Sequence, residues 1–318
     1  MDLAIMGTGT VGSSVAELAA DYGHRVTGMA NVASAAIDPT GIDVKAALDR
    51  QNIEGEAALG DADPDAVLDA DYDALVEVTP VTLGDAQPGF GHVRAALERD
   101  RHVVLANKGP MAERFADVRD LERASEGEVR FEATVAGAIP VLSTIEDYSP
   151  ATIQAARGVL NGTANFILSR MAAEGLGYDH VLAEAQDLGV AETDPAFDVE
   201  GTDAALKCVI LANVLAECER TYTLDDATVE GIKSVPGSAL DLASEDGRTI
   251  RLIGEVVDGE VRVGPRLVPE HSELAVTGTT NIVQLDTDNA GRLNLSGRGA
   301  GGPETASAIL ADVERLPN

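Results

Sequence analysis

The chain opens on "DLAIMGTGTVGSSVAELAADYG": an apolar run, then glycines at positions 7, 9 and 12, then a helical pattern. Glycines at this spacing allow a tight turn and close backbone approach. A pyrophosphate can then rest on the free N–H groups at the start of the following helix. The turn is formed by Gly7, Thr8, Gly9, Thr10, Val11 and Gly12. A lone G-x-G-x-x-G is weak evidence, and what strengthens it here is the pattern that follows. Apolar runs such as "RVTGMAN", "ALVEVTP" and "HVVLAN" alternate with helical stretches such as "FGHVRAALERD" and "PMAERFADVRDLERASEG". Strand and helix at this rhythm predict an α/β fold, a doubly wound parallel sheet of Rossmann type with crossover helices.

After about residue 135 the pattern becomes α+β. Helical stretches dominate from "TANFILSRMAAEG" to "TDAALKCVILANVLAECE", and "TIRLIGEVVDGEVRVGPRLVP" reads as a hairpin turning at Asp258-Gly259. The end, "LNLSGRGAGGPETASAILADVERL", reads as a strand, a glycine-rich turn and an amphipathic helix with Pro303 near its start. Three segments are expected: a dinucleotide-binding domain over 1–135, a substrate-binding and dimerisation domain over 136–292, and a segment over 293–318 that returns to the first domain.

The position that commonly carries a ribose-binding acid, about 20 residues beyond the glycines, holds Asn31, and no Arg lies between Arg25 and Arg50 to hold a 2′-phosphate. NAD and NADP therefore both remain open. Ligands of such sheets bind beyond the carboxyl ends of the strands, which is where "VEVTP" places Thr79 and Pro80 and "ANKGP" places Lys108.

Lys108 is one of only four lysines among 23 basic side chains, and another, Lys207, follows Asp203 by one helical turn. An exposed i, i+4 pair of this kind contributes only about 0.2 to 0.5 kcal/mol. The wheel argues for burial instead. Asp203, Lys207, Ile210 and Val214 share one face, while Leu206, Val209, Leu211 and Leu215 cover much of the rest. A buried lysine held by an aspartate can deliver a proton to an oxygen that gains charge. Thr202 is the expected N-cap, and Glu192, Asp194, Asp198 and Glu200 precede it in an acidic loop.

The formal net charge of −31 argues against nucleic acid or anionic lipid as a partner, since either requires clustered Lys and Arg. Acidic residues are spread along the whole chain, as suits a solvated surface at high salt, where screening over roughly 3 Å at about 1 M relieves self-repulsion. A salt-loving source is expected. No stretch of about 18 uncharged apolar residues is present, and a cytoplasmic protein is expected. Cys208 and Cys218 lie in one apolar stretch and read as core residues rather than a disulfide or a metal site. The five histidines show no metal spacing and read as ordinary surface or packed residues.

Together, "GTGTVG", "ANKGP", "EATVAGAIP", "LNGTANFIL", "AETDPAFDVEGTDAALK" and "GRGAGGPETASAIL" resemble homoserine dehydrogenases over nearly the whole chain. The resemblance implies NAD(P)-dependent interconversion of homoserine and aspartate 4-semialdehyde in threonine and methionine biosynthesis. It maps the family's catalytic pair onto Lys207 and Asp203, its substrate-binding glutamate onto Glu192 and its cofactor-side lysine onto Lys108; Asp198 and Lys108 are expected at the substrate as well. The resemblance also implies that the "GRGAGG" turn, with Gly299 and Gly301, reaches the cofactor, a simple strand-to-helix turn being the competing reading. It also implies a monovalent cation, Na or K, held largely by backbone carbonyls of Glu132, Val135, Gly137 and Ile139. A homodimer or larger assembly, and a short form lacking the regulatory domain of many members, are further implications. The rival readings are another NAD(P)-dependent amino-acid dehydrogenase and a non-catalytic NAD(P)H sensor. Turnover of homoserine separates them.

Overall fold

The structure, a computed structural model, describes residues 1–217 and 219–317. Cys218, expected in a core, lies outside the described residues. The chain divides into two compact units, Met1–Ala138 together with the chain from Ala300 onward, and Ile139–Gly299.

In the first unit six strands form one sheet: β1 (Asp2–Met6), β2 (Arg25–Ala30), β3 (Ala35–Ile37), β4 (Ala74–Glu77), β5 (His102–Leu105) and β6 (Val129–Arg130). Their order is β3-β2-β1-β4-β5-β6, and every pair is parallel except the edge pair of β2 with β3. Apart from Asp2 at the start of β1 and Glu77 at the end of β4, the central strands are apolar and buried, as helices on both faces of a parallel sheet require. The stretch "EVRFEA" pairs over only two residues, because the short helix Ala133–Ala136 follows almost at once. The last helix, Gly302–Glu314, starts with Pro303 in its first turn and adds Ala306, Ile309, Leu310 and Val313 to the core around Leu3, Ile5 and Val76. Because the chain passes from β1 to β2 and later crosses back to β4, the ends of β1 and β4 flank a topological switch point.

The second unit has a sheet of β7 (Ile153–Val159), β8 (Ala227–Val229), β9 (Arg248–Val257), β10 (Glu260–Pro269), β11 (Thr280–Thr287) and β12 (Gly291–Arg298), in the order β12-β11-β7-β9-β10-β8. The β9–β10 hairpin turns at Asp258 and Gly259, which have φ of 53° and 74°, the left-handed pair that a two-residue hairpin favours. Because β12 pairs along its length with β11, the segment 293–299 belongs to this unit, and the return to the first unit begins at Ala300.

The helix Thr202–Leu215 packs on β9 and β10, with every residue from Asp203 to Asn213 buried. A Cβ at Gly254 of β9 would come within 2.4 Å of Cys208 Sγ, so glycine there lets the helix sit close to the strand. Its N-cap is Gly201 rather than Thr202. Gly201 has φ +90°, and its added Cβ would meet Val229 Cγ1 at 3.0 Å, so the tight entry turn requires glycine and moves the helix start by one residue. Among the described residues no helix is long and apolar enough to cross a membrane.

Candidate functional site

The glycine turn joins β1 to the helix Thr10–Leu18. Gly7 adopts φ +112°, and its added Cβ would lie 2.7 Å from the Val78 carbonyl oxygen; at Gly12 a Cβ would lie 1.8 Å from the carbonyl oxygen of Gly7. Two of the three glycines are thus demanded by packing within the turn. Gly9 differs, because nothing lies within 4 Å of where its Cβ would be. It caps the helix with no side-chain hydrogen bond, and the first turn carries no acid. Open space above unshielded helix N–H groups fits the phosphates of a dinucleotide. Thr8 is buried and Thr10 exposed, and the Thr8 hydroxyl donates to Gln51 Oε1 at 2.6 Å. Asn31, just past β2, donates to Gln51 Oε1 and to the Glu56 carbonyl, each at 2.9 Å, and accepts from the N–H groups of Ala33 and Ser34.

At the carboxyl ends of β4 and β5, Thr79 is half-buried and Pro80 exposed, while Asn107 caps the helix Lys108–Glu113 by accepting from the Gly109 N–H. Lys108 is therefore the first helical residue and is half-buried. Gly301, at φ +128°, caps the last helix and is exposed. Of the residues that the resemblance assigned to a cation, Glu132, Val135 and Ile139 are buried and Gly137 has φ +56°.

In the second unit, Lys207 Nζ donates to Asp203 Oδ2 at 2.7 Å and to the Leu160 carbonyl at 2.6 Å. Asn161, two residues past β7 and the N-cap of the helix Gly162–Glu174, donates to Asp203 Oδ2 at 2.9 Å and to Asp198 Oδ1 at 2.6 Å, and its own oxygen accepts from the Ala164 N–H. One amide thus ties two carboxylates beside one ammonium. Burial raises the affinity of Asp198 for its proton, repulsion from Asp203 adds to this, and the Asn161 hydrogen bond opposes it. Glu192 and Asp194 are exposed on the loop before this cluster, so of the acidic run only Asp198 and Asp203 enter it.

Two features were missed in the sequence. Asn161 stands inside the resembling stretch "LNGTANFIL", and an Asn just before a helical pattern is an N-cap signal. His92 is packed, as expected, but its partner was not foreseen: it lies buried against the Glu77 carboxylate, with Nδ1 2.6 Å from Oε2.

A doubly wound sheet that opens on this turn, in one chain with a buried lysine and aspartate, defines a dinucleotide-dependent oxidoreductase. The family model for homoserine dehydrogenase matches residues 140–313, and that for the homoserine dehydrogenase NAD-binding domain matches residues 7–132. The chain belongs to the homoserine dehydrogenase family and is an NAD(P)-dependent oxidoreductase. It is 38% identical to the homoserine dehydrogenase of Methanocaldococcus jannaschii, over 100% of this chain and 99% of that protein. A crystal structure assigned as a homoserine dehydrogenase of Archaeoglobus fulgidus superimposes with a TM-score of 0.91 at 40% identity, covering 99% of this chain and 98% of that one. A hyperthermophilic archaeal homoserine dehydrogenase in complex with NADPH gives 0.85 at 26%, covering 100% and 98%. These matches do not favour a different amino-acid dehydrogenase or a non-catalytic sensor.

Proposed function

We propose that the protein interconverts L-homoserine and L-aspartate 4-semialdehyde, with Lys207 as proton donor and acceptor. The observation that carries this reading is the Lys207 ammonium buried against Asp203, in a chain of this family. When bound, the nicotinamide dinucleotide supplies hydride to the aldehyde carbon and takes it back from homoserine. Lys207 stabilises the oxygen as it becomes alkoxide-like and protonates it, directly or through water. Asp203 holds Lys207 in place. In the reverse direction a neutral Lys207 takes the hydroxyl proton. Lysine suits this role because it gives up a proton and recovers it, whereas Arg stays charged at any working pH.

Asp198, and Glu192 from the exposed loop, are assigned to substrate, with Glu192 facing its ammonium; Lys108 serves substrate and cofactor. Gly7, Thr8, Gly9, Thr10, Val11, Gly12, Asn31, Thr79, Pro80 and Gly301 are assigned to the cofactor. The support for the turn residues is the open space at Gly9 and the uncapped helix start. The monovalent cation at Glu132, Val135, Gly137 and Ile139 rests on family resemblance. So do a role in threonine and methionine biosynthesis and the cytoplasm as its location. Assembly of two or more copies through the second unit is part of the same reading, and the apolar Leu242 and Leu267, both more than half exposed, are suited to an interface there.

The source is proposed to be salt-loving, on the strength of the −31 charge, and stability should then rise steeply with KCl. Equal melting at low and multimolar KCl would contradict it. The test of the function is homoserine-dependent reduction of NAD or NADP, followed at the nicotinamide absorbance in high salt. Absence of turnover with both cofactors would overturn the reading.

A further inference from the structure

Glu77 is the last residue of β4 and is fully buried. Four donors converge on its carboxylate. Oε1 accepts from the Thr79 N–H at 3.0 Å, from the Thr79 hydroxyl and from Asn107 Nδ2 at 3.2 Å, while Oε2 lies 2.6 Å from His92 Nδ1. The Thr79 hydroxyl is bound in turn by Asn107 Nδ2 at 3.1 Å, and the Glu77 carbonyl accepts from the Ala106 and Asn107 N–H groups. Gly89 leaves room for this cluster, since a Cβ there would lie 2.5 Å from Asn107 Nδ2.

A buried carboxylate carries a large desolvation penalty unless every oxygen is satisfied, and here the satisfaction fixes geometry. The turn after β4 and the start of the helix after β5 are tied to one point. The same turn carries Val78, whose carbonyl lies against Gly7 of the phosphate loop, and the same helix begins with Lys108. Nothing in the proton-transfer scheme uses Glu77.

We propose that Glu77 is a positioning residue for the dinucleotide: it holds the Thr79-Pro80 turn and the Asn107-Lys108 helix start in the form that receives the nicotinamide half. This rests on the cofactor reading above. Its signature is loss of nucleotide affinity in folded protein. Glu77→Gln keeps an oxygen for Thr79 and Asn107, and its amide can face a neutral His92 nitrogen, so it preserves the geometry. Glu77→Leu removes both side-chain acceptors.

The experiment is titration of the full-length protein with NADH and with NADPH, read by nicotinamide fluorescence without homoserine, alongside Tm. The expected result is a Kd raised about tenfold or more in Glu77→Leu and by less than about threefold in Glu77→Gln. Should Glu77→Leu not fold, His92→Leu, which strips Oε2 of its partner, carries the test and is expected to raise Kd by about threefold or more. Glu77→Leu, or His92→Leu in its place, binding like wild type would overturn the inference, whatever its Tm. Wild-type protein that binds neither nucleotide would overturn the cofactor reading itself, which the variant comparison keeps distinct.

Discussion

Lys207 donates to Asp203 at 2.7 Å, with side-chain exposures of only 8% and 9%. Removing one member of a buried pair leaves the other charge uncompensated. Asp203→Asn is therefore expected to lower stability by roughly 3 kcal/mol and kcat by about 10²-fold. Denaturant unfolding and initial rates measure the two separately, and a variant unchanged in both would contradict the assignment.

Asn161 separates the carboxylates of Asp198 and Asp203. Asn161→Asp keeps an N-cap acceptor but replaces the donor by a third negative charge. Its kcat is expected to fall by about 10²-fold at pH 8 and to recover in part at pH 6, as protonation of one carboxyl restores a donor. The pH profile beside wild type checks this, and parallel profiles would count against a bridging role for Asn161.

The glycines of the phosphate turn should separate by cause. Gly12→Ala drives a methyl into the Gly7 carbonyl and should cost both Tm and nucleotide binding. Gly9→Ala meets nothing in the protein, so it should keep Tm while weakening NAD(P)H binding by about tenfold or more. A Gly9→Ala protein with unchanged affinity would place the phosphates elsewhere.

Asp312 is buried in the last helix, and burial pushes its carboxyl up to about 6, against hydrogen bonds from the Glu132 N–H and Arg315. Below about pH 4 the group is protonated in both folded and unfolded chains; between about 4 and 6 only the unfolded chain releases its proton, so folding loses stability as pH rises through that window. Wild type should thus lose stability relative to Asp312→Asn by on the order of 3 kcal/mol from pH 4 to 7. A pH-independent difference between the two would show that the carboxyl is not shifted.

Much of this was legible in the sequence because it is local. The glycine spacing, the strand rhythm around it, the Asp258-Gly259 hairpin and the all-apolar wheel around Lys207 each depend on residues a few positions apart. The rest depends on sheet register and packing. Asn161 reaches Asp198 and Asp203 across 37 and 42 residues, and Glu77 reaches His92 and Asn107 across 15 and 30. No periodicity in one chain encodes such pairings. The shift of the helix start from Thr202 to Gly201 has the same origin, since the nearest side chains, Val229 and Val263, come from neighbouring strands.

The central claim is that Lys207 moves the proton. Its most direct test is the initial rate of homoserine-dependent NAD(P) reduction by Lys207→Ala and Lys207→Arg, with the NAD(P)H Kd measured on the same preparations. Both variants are expected to lose kcat by about 10²-fold or more with Kd held within about threefold. Wild-type turnover by Lys207→Arg, which keeps the charge but not the reversible proton, would contradict it.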